Sequence, residues 1–214
     1  MRPITVTVGP LATANATAIA AAQTPTVSFT LASSPVLLDT ARRVLFTTVS
    51  ASDNGKTVTI TGIDVNNQTQ TEIVTLVNAN SVTTSFSALD YKSVSSITIS
   101  AAAVGSISVG TNTVASSAWV RLDEWALPQT SVQVTATGTV NYTVQQAMQD
   151  PNSPTNPISP YLVSWVNISD PNMVSQTATA QSSYAYAPTF VKLVLNSGTG
   201  SVAGIFAQSG VVPY

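Results

Sequence analysis

Between residues 57 and 65 the chain reads TVTITGIDV: Val58 and Ile60 alternate with threonines, and after Gly62, Ile63 and Val65 alternate about Asp64. A repeat of two sends successive side chains to opposite faces of an extended strand, and it cannot align an apolar stripe on a helix. The same spacing returns in TEIVTLV (71–77), in SVQVTATGTVNYTVQ (131–145) and in FVKLVLNSGTGSVAGIFA (190–207). Short β-branched strands repeated at this spacing predict an all-β fold, one or two antiparallel β-sandwich (jelly-roll-like) regions with little helix. Two stretches have some helical character, LATANATAIAAA (11–22) by alanine content and LLDTARRVLF (37–46) after Asp39. Threonine, asparagine and the preceding Pro10 weaken the first, and the second has room for one turn.

Turn residues set the expected pairing. NNQTQ (66–70) separates the strands at 57–65 and 71–77 as a hairpin loop, and Asp53–Asn54–Gly55 reads as a turn whose glycine supplies a positive φ. SITISAAAVGSISVG (96–110) reads as a further pair of strands around Ala102–Gly105. In 131–145, Val132, Val134 and Ala136 share one face, the chain turns near Gly138, and Val140, Tyr142 and Val144 share a face on the return. The last segment repeats this plan around Asn196–Gly200. Composition shifts near TNTVASSA (111–118): every tryptophan lies beyond it, with most of the tyrosines and prolines. The expected division is an N-terminal β-sandwich region over 1–113 and a C-terminal one over 114–214.

Charge narrows the function. Only 7% of residues are charged, against about 25% in a typical soluble domain. Seven basic residues and a net charge of −2 lack the clustered cations that nucleic acid requires. With neither cysteine nor histidine, thiolate metal sites, cysteine nucleophiles and Ser–His–Asp triads are excluded. AIAAAQ (18–23) has the small residues of a signal-peptide cleavage site, but the alternating ITVTV (4–8) and Pro10 spoil the apolar run, so an unprocessed chain is expected. No stretch reaches the ~18 apolar residues of a membrane helix. Low charge leaves little repulsion between copies and permits assembly.

Four constellations could carry chemistry. Asp123–Glu124 is an adjacent carboxylate pair, but neighbours on a strand diverge and cannot flank one glycosidic bond. Asp150, Asn152, Ser153 and Asn156 are oxygen donors with one carboxylate among them, too few for calcium and common beside proline for turn reasons. Asn15, Asn67, Asn141 and Asn167 open N-x-S/T triplets, as a chain rich in these residues does by chance. Trp119, Trp125 and Trp165, with Tyr161, Tyr184 and Tyr186, suit a core or a protein interface better than a sugar platform, for want of an acidic and amide cluster beside them. No catalytic residue, cofactor or metal is expected.

The segment over 149–163 is the most unusual. Pro151, Pro154, Pro157 and Pro160 fix φ and remove four backbone donors, so it cannot be an interior strand. It is expected to be a preorganised arm or rim loop for contact, presenting Asp150, Pro151, Asn152, Pro154, Asn156, Pro157, Pro160 and Tyr161.

Two passages carry a resemblance. Asp39 and Arg42–Arg43 before a strand, DNGKTVTITG (53–62), Glu72 after a polar turn, YKSVSSITIS (91–100) and SVGT (108–111) together resemble a β-module of virion structural proteins of tailed bacteriophages. VQVTATGTVNYTVQQAMQDPN (132–152), SWVN (164–167) and LVLNSGTGSVAGIFAQSG (193–210) are similar to the C-terminal half of the same proteins. The resemblance implies a non-enzymatic virion component, a capsid decoration (cement) protein bound to the major capsid protein at the capsid surface and made in the host cytoplasm. The alternative it leaves open is a head-fibre or tail-associated structural or adhesion protein with carbohydrate-binding β-domains. A homo-oligomer, with a trimer as the expected state, and no nucleic-acid, membrane or small-molecule partner complete the expectation.

Overall fold

The computed structural model describes residues 2–78, 82–122, 130–184 and 188–208. The chain is all-β, and its strands fall into two compact units: Met1–Leu11 with Val114–Tyr214, and Ala12–Thr113. The expected N-terminal region therefore gives up its first eleven residues. β1 (Arg2–Val8) pairs antiparallel with the last strand of the chain, a non-local match that alternation at 4–8 cannot disclose.

The N-terminal unit contains β2 (Asn15–Gln23), β3 (Val36–Thr48), β4 (Thr57–Ile63), β5 (Thr69–Thr75), β6 (Thr83–Ile99) and β7 (Ile107–Thr111). They form one antiparallel sheet in the order β2-β7-β3-β6-β4-β5. Both helix candidates are strands. Their alanines and β-branched residues accept an extended backbone, and pairing of β2 with β7 and of β3 with β6 and β7 overrides a weak propensity. β6 and β7, expected as a pair, do not pair with each other, because β7 inserts between β2 and β3. β4 and β5 form the expected hairpin. Phe46 faces Val109 across β3 and β7, and Ile60 faces Ile97 across β4 and β6; all four are buried.

Two bulges between β3 and β6 shape this sheet. Four β3 residues, 38–41, oppose the single β6 residue Lys92, and three β6 residues, Ser87–Leu89, oppose the single β3 residue Val44. Bulges leave ladder groups unpaired, so side chains must satisfy them. Ser87 Oγ accepts the Val44 N–H at 2.9 Å and donates to Leu89 O at 2.7 Å. Glu72, 2% exposed, reaches over from β5 and accepts the N–H groups of Ala88 at 2.5 Å and Leu89 at 3.0 Å. In the β3 bulge, Asp39 accepts the Ala12 N–H at 2.8 Å and pairs with Arg42 at 3.0 Å. Arg42 also donates to the carbonyls of Ala12 and Asn112. Fully buried Asp53 accepts from Lys56 Nζ at 2.6 Å and from the N–H groups of Val104 and Gly105. Burial opposes its ionisation, but these donors outweigh the penalty and hold the carboxyl below its usual 3.8.

The C-terminal unit holds β8 (Ala115–Ser116), β9 (Val120–Arg121), β10 (Thr130–Thr137), β11 (Val140–Ala147), β12 (Val166–Asn167), β13 (Ala180–Tyr184), β14 (Phe190–Gly198) and β15 (Ser201–Gln208). One sheet runs β1-β15-β10-β13 and the other β12-β11-β14-β8, with β9 also on β14. Val132, Val134, Val202 and Phe206 from the first sheet meet Tyr142, Val144, Leu193 and Leu195 from the second in one core. The turn at Gly138 thus joins two sheets, as does the one at 198–200, and neither closes a hairpin. These two corners abut: Gly200 N–H donates to Thr139 O at 2.9 Å. Gly198 has φ 109, and a Cβ there would lie 2.3 Å from Thr139 O. Gly198→Ala is expected to destabilise this sandwich by about 2 kcal/mol, read as a lower urea midpoint by tryptophan fluorescence. An unchanged midpoint would mean that the corner opens freely.

Candidate contact surface on the C-terminal sandwich

β14 explains why a cluster forms outside the core. Its residues Val191, Leu193 and Leu195 point inward, so Phe190, Lys192 and Val194 point outward, yet these too are buried. Partners on the same outer face cover them. Val120 on β9 is a core residue, which turns Trp119 and Arg121 outward, and Arg121 pairs directly with Phe190. On the opposite edge, Asn167 of β12 pairs with Gln145, itself opposite Lys192, and Trp165 lies two residues before Asn167.

The side chains then meet. Trp119 packs edge-on against Trp165, with centroids 5.1 Å apart, and against Phe190 at 6.1 Å. Lys192 Nζ lies 4.2 Å from the Trp165 ring centre, and the Arg121 guanidinium lies over Phe190 at 6.0 Å. A buried ammonium against an aromatic face is attracted by the ring quadrupole, more strongly when desolvated. Both tryptophans remain half-buried. Met148, Leu162 and Val166 are 62%, 59% and 53% exposed at the same end of this sheet.

The proline-rich segment belongs to this end. It links β11 to β12, which pair antiparallel through Gln146 and Val166. Its neck is closed where Gln149 Oε1 accepts the Ser164 N–H at 2.6 Å, giving a rim loop with joined ends and no free arm. Asp150 accepts the Asn152 N–H at 2.8 Å and lies 3.5 Å from Arg121, so the loop's first turn is anchored to the aromatic row. Pro151 is half-buried, whereas Asn152, Pro154, Asn156 and Pro157 are exposed. Pro160 begins a 3-10 turn through Leu162, which carries the half-buried Tyr161.

Of the expected interface aromatics, Trp119 and Trp165 come together, and Trp125 lies outside the described residues, as do Asp123–Glu124 and Tyr186. Tyr184 is in the sandwich core. Sequence reasoning missed Phe190, Lys192 and Arg121. Lys192 was the available signal, a lone charge inside the apolar run FVKLVL. No protein-family model, no curated protein and no solved structure matches this chain.

Proposed function

We propose that this protein is a non-enzymatic virion component of a tailed bacteriophage, a capsid decoration protein that docks on the major capsid protein and reinforces the shell. The observation that supports docking is the half-buried Trp119–Trp165 pair, set beside exposed Met148, Leu162 and Val166 and a neck-closed proline loop. Tryptophan, methionine and arginine are the residues that interfaces concentrate, and a loop already held in one conformation loses little entropy on binding. The phage setting rests on the resemblance of residues 36–210. Multivalency supplies the strength: weak contacts per copy are multiplied by a homo-oligomer, a trimer in this reading, and by repeated sites on the shell.

The test is co-sedimentation with heads assembled from the major capsid protein encoded in the same genome. Trp119→Ala and Trp165→Ala are expected to weaken binding about 10- to 100-fold. Replacing residues 151–160 by a short Gly/Ser linker should weaken it while leaving the fold intact. Failure of the wild-type protein to sediment with heads, or full binding by all three variants, refutes the reading. Light scattering that shows a monomer at high concentration removes the oligomer from it.

A further inference from the structure

A second surface lies on the opposite side of the same sandwich, away from the tryptophans. The outer face of the β1-β15-β10-β13 sheet carries a groove of about 550 Å³, within the size range of small-ligand sites. Its walls follow from register. Gln133 on β10 stands directly opposite Gln181 on β13, and Ser131 stands opposite Ser183. The next strand contributes Ile205 beside Gln133 and Ala207 beside Ser131, an apolar strip along the floor. Asp170 sits at the rim.

From this arrangement we infer that the groove is a binding site for an uncharged, polyhydroxylated ligand, a neutral glycan, held by the paired Gln133 and Gln181 amides over the Ile205–Ala207 strip. Each amide offers two donors and an acceptor. Both glutamines are exposed, and neither side chain bonds to the protein among the described residues. A wholly apolar ligand would strip water from these amides and return nothing. An anionic ligand would meet Asp170 with no cation in the lining to offset it. Asp170 is fixed as an acceptor, since Oδ1 receives the Asn172 N–H at 2.9 Å and Oδ2 the Ser182 hydroxyl at 2.6 Å. The Ser182 hydrogen bond, then that of Asn172, holds its carboxyl below the usual 3.8, so it stays ionised. A sugar ring satisfies all of these at once: hydroxyls for the amides and the carboxylate, and a C–H face for Ile205. Strand pairing fixes the spacing of the two backbone positions that carry the glutamines.

This inference is independent of capsid docking, because it uses the other sheet. It is tested on the full-length protein with an array of neutral hexose and N-acetylhexosamine oligosaccharides beside sialylated and uronate-containing ones, with titration calorimetry of any hit. The expected result is saturable binding of a neutral glycan with Kd on the order of 1 mM or tighter. Gln133→Glu and Gln181→Glu keep side-chain shape but lose the amide donors, and each should weaken binding about tenfold. An unchanged urea midpoint in these exposed-site variants shows that the sandwich is intact. Preference for acidic glycans, unaltered binding in both variants, or no saturable neutral binder overturns the inference.

Discussion

Arg42→Ala is expected to lower the stability of the N-terminal unit by about 2–3 kcal/mol, the cost of losing a large buried side chain and the donors it gives to two backbone carbonyls, while the exposed Asp39 is left to water. The side chain is 1% exposed. Nη1 meets both Asp39 oxygens, at 3.0 and 3.1 Å, and Nη2 donates to the carbonyls of Ala12 and Asn112. Ala12 and Asn112 adjoin the two points where the chain passes between units. One guanidinium therefore fastens the entry and exit of the sheet to the β3 bulge. Truncation takes a donor from two backbone carbonyls and leaves a cavity where a large side chain stood. Arg42→Met fills the volume and restores no hydrogen bond, so it should recover only part of the loss. Urea unfolding followed by NMR amide signals of residues 12–113 measures both variants. A change below about 1 kcal/mol would show that water replaces the guanidinium freely. Asp39 provides a second readout. Burial raises its pKa, but the Ala12 N–H and Arg42 bring it below 3.8, so the wild type loses this contribution only as pH falls beneath that value. In Arg42→Ala the carboxyl should titrate higher.

Stability of the same unit is expected to fall by up to about 3 kcal/mol as pH rises from 4.5 to 8. Glu72 is the cause. Burial is the largest influence on it and lifts its pKa from 4.5 to about 7, against the Ala88 and Leu89 N–H groups and the Arg43 charge, which favour ionisation. Asp90 adds to the rise, and the buried Tyr91 phenol lies beside it, pushed upward by burial and then by the Glu72 charge. Between pH 4.5 and 7 the folded chain holds a proton that the unfolded chain releases. The contribution is fully present below 4.5, declines across that window, and is gone above about 7. Asp39 and Asp53, both lowered, act in the opposite sense and only below about 3.8. The optimum for this unit should therefore be mildly acidic. Glu72→Gln removes the titration and should flatten the profile, at lower overall stability because its NH₂ faces a backbone N–H in the bulge. A wild-type profile flat between pH 5 and 8 contradicts the assignment.

The candidate surface was partly legible. The prolines of 151–160 exclude an interior strand on backbone grounds alone, and tryptophans in a weakly charged chain mark either core or contact. Neither feature tells which strand lies beneath them. Phe190, Lys192 and Arg121 joined the cluster through the register of β14 with β9 and β11, a matter of residues far apart in sequence.

Alternation of β-branched residues fixed β4, β5, β10 and β11, because period two is a local steric property of the pleat. It also fixed which residues face the core: Val132, Val134, Val140, Tyr142 and Val144 are buried as their spacing requires. Tertiary structure decided the partners. Gly138 and Gly198–Gly200 make turns that would serve a hairpin equally well, and only packing of two apolar faces sends them from one sheet to the other. β1 leaves its neighbours in sequence for β15 because the four-stranded sheet has an open edge there, and β2 is a strand because β7 offers it a ladder. The scarce charges followed the same rule. Asp39, Arg42, Asp53 and Glu72 look like solvated side chains in a linear reading, and each is instead bound to backbone groups that bulges and loops leave without a ladder partner.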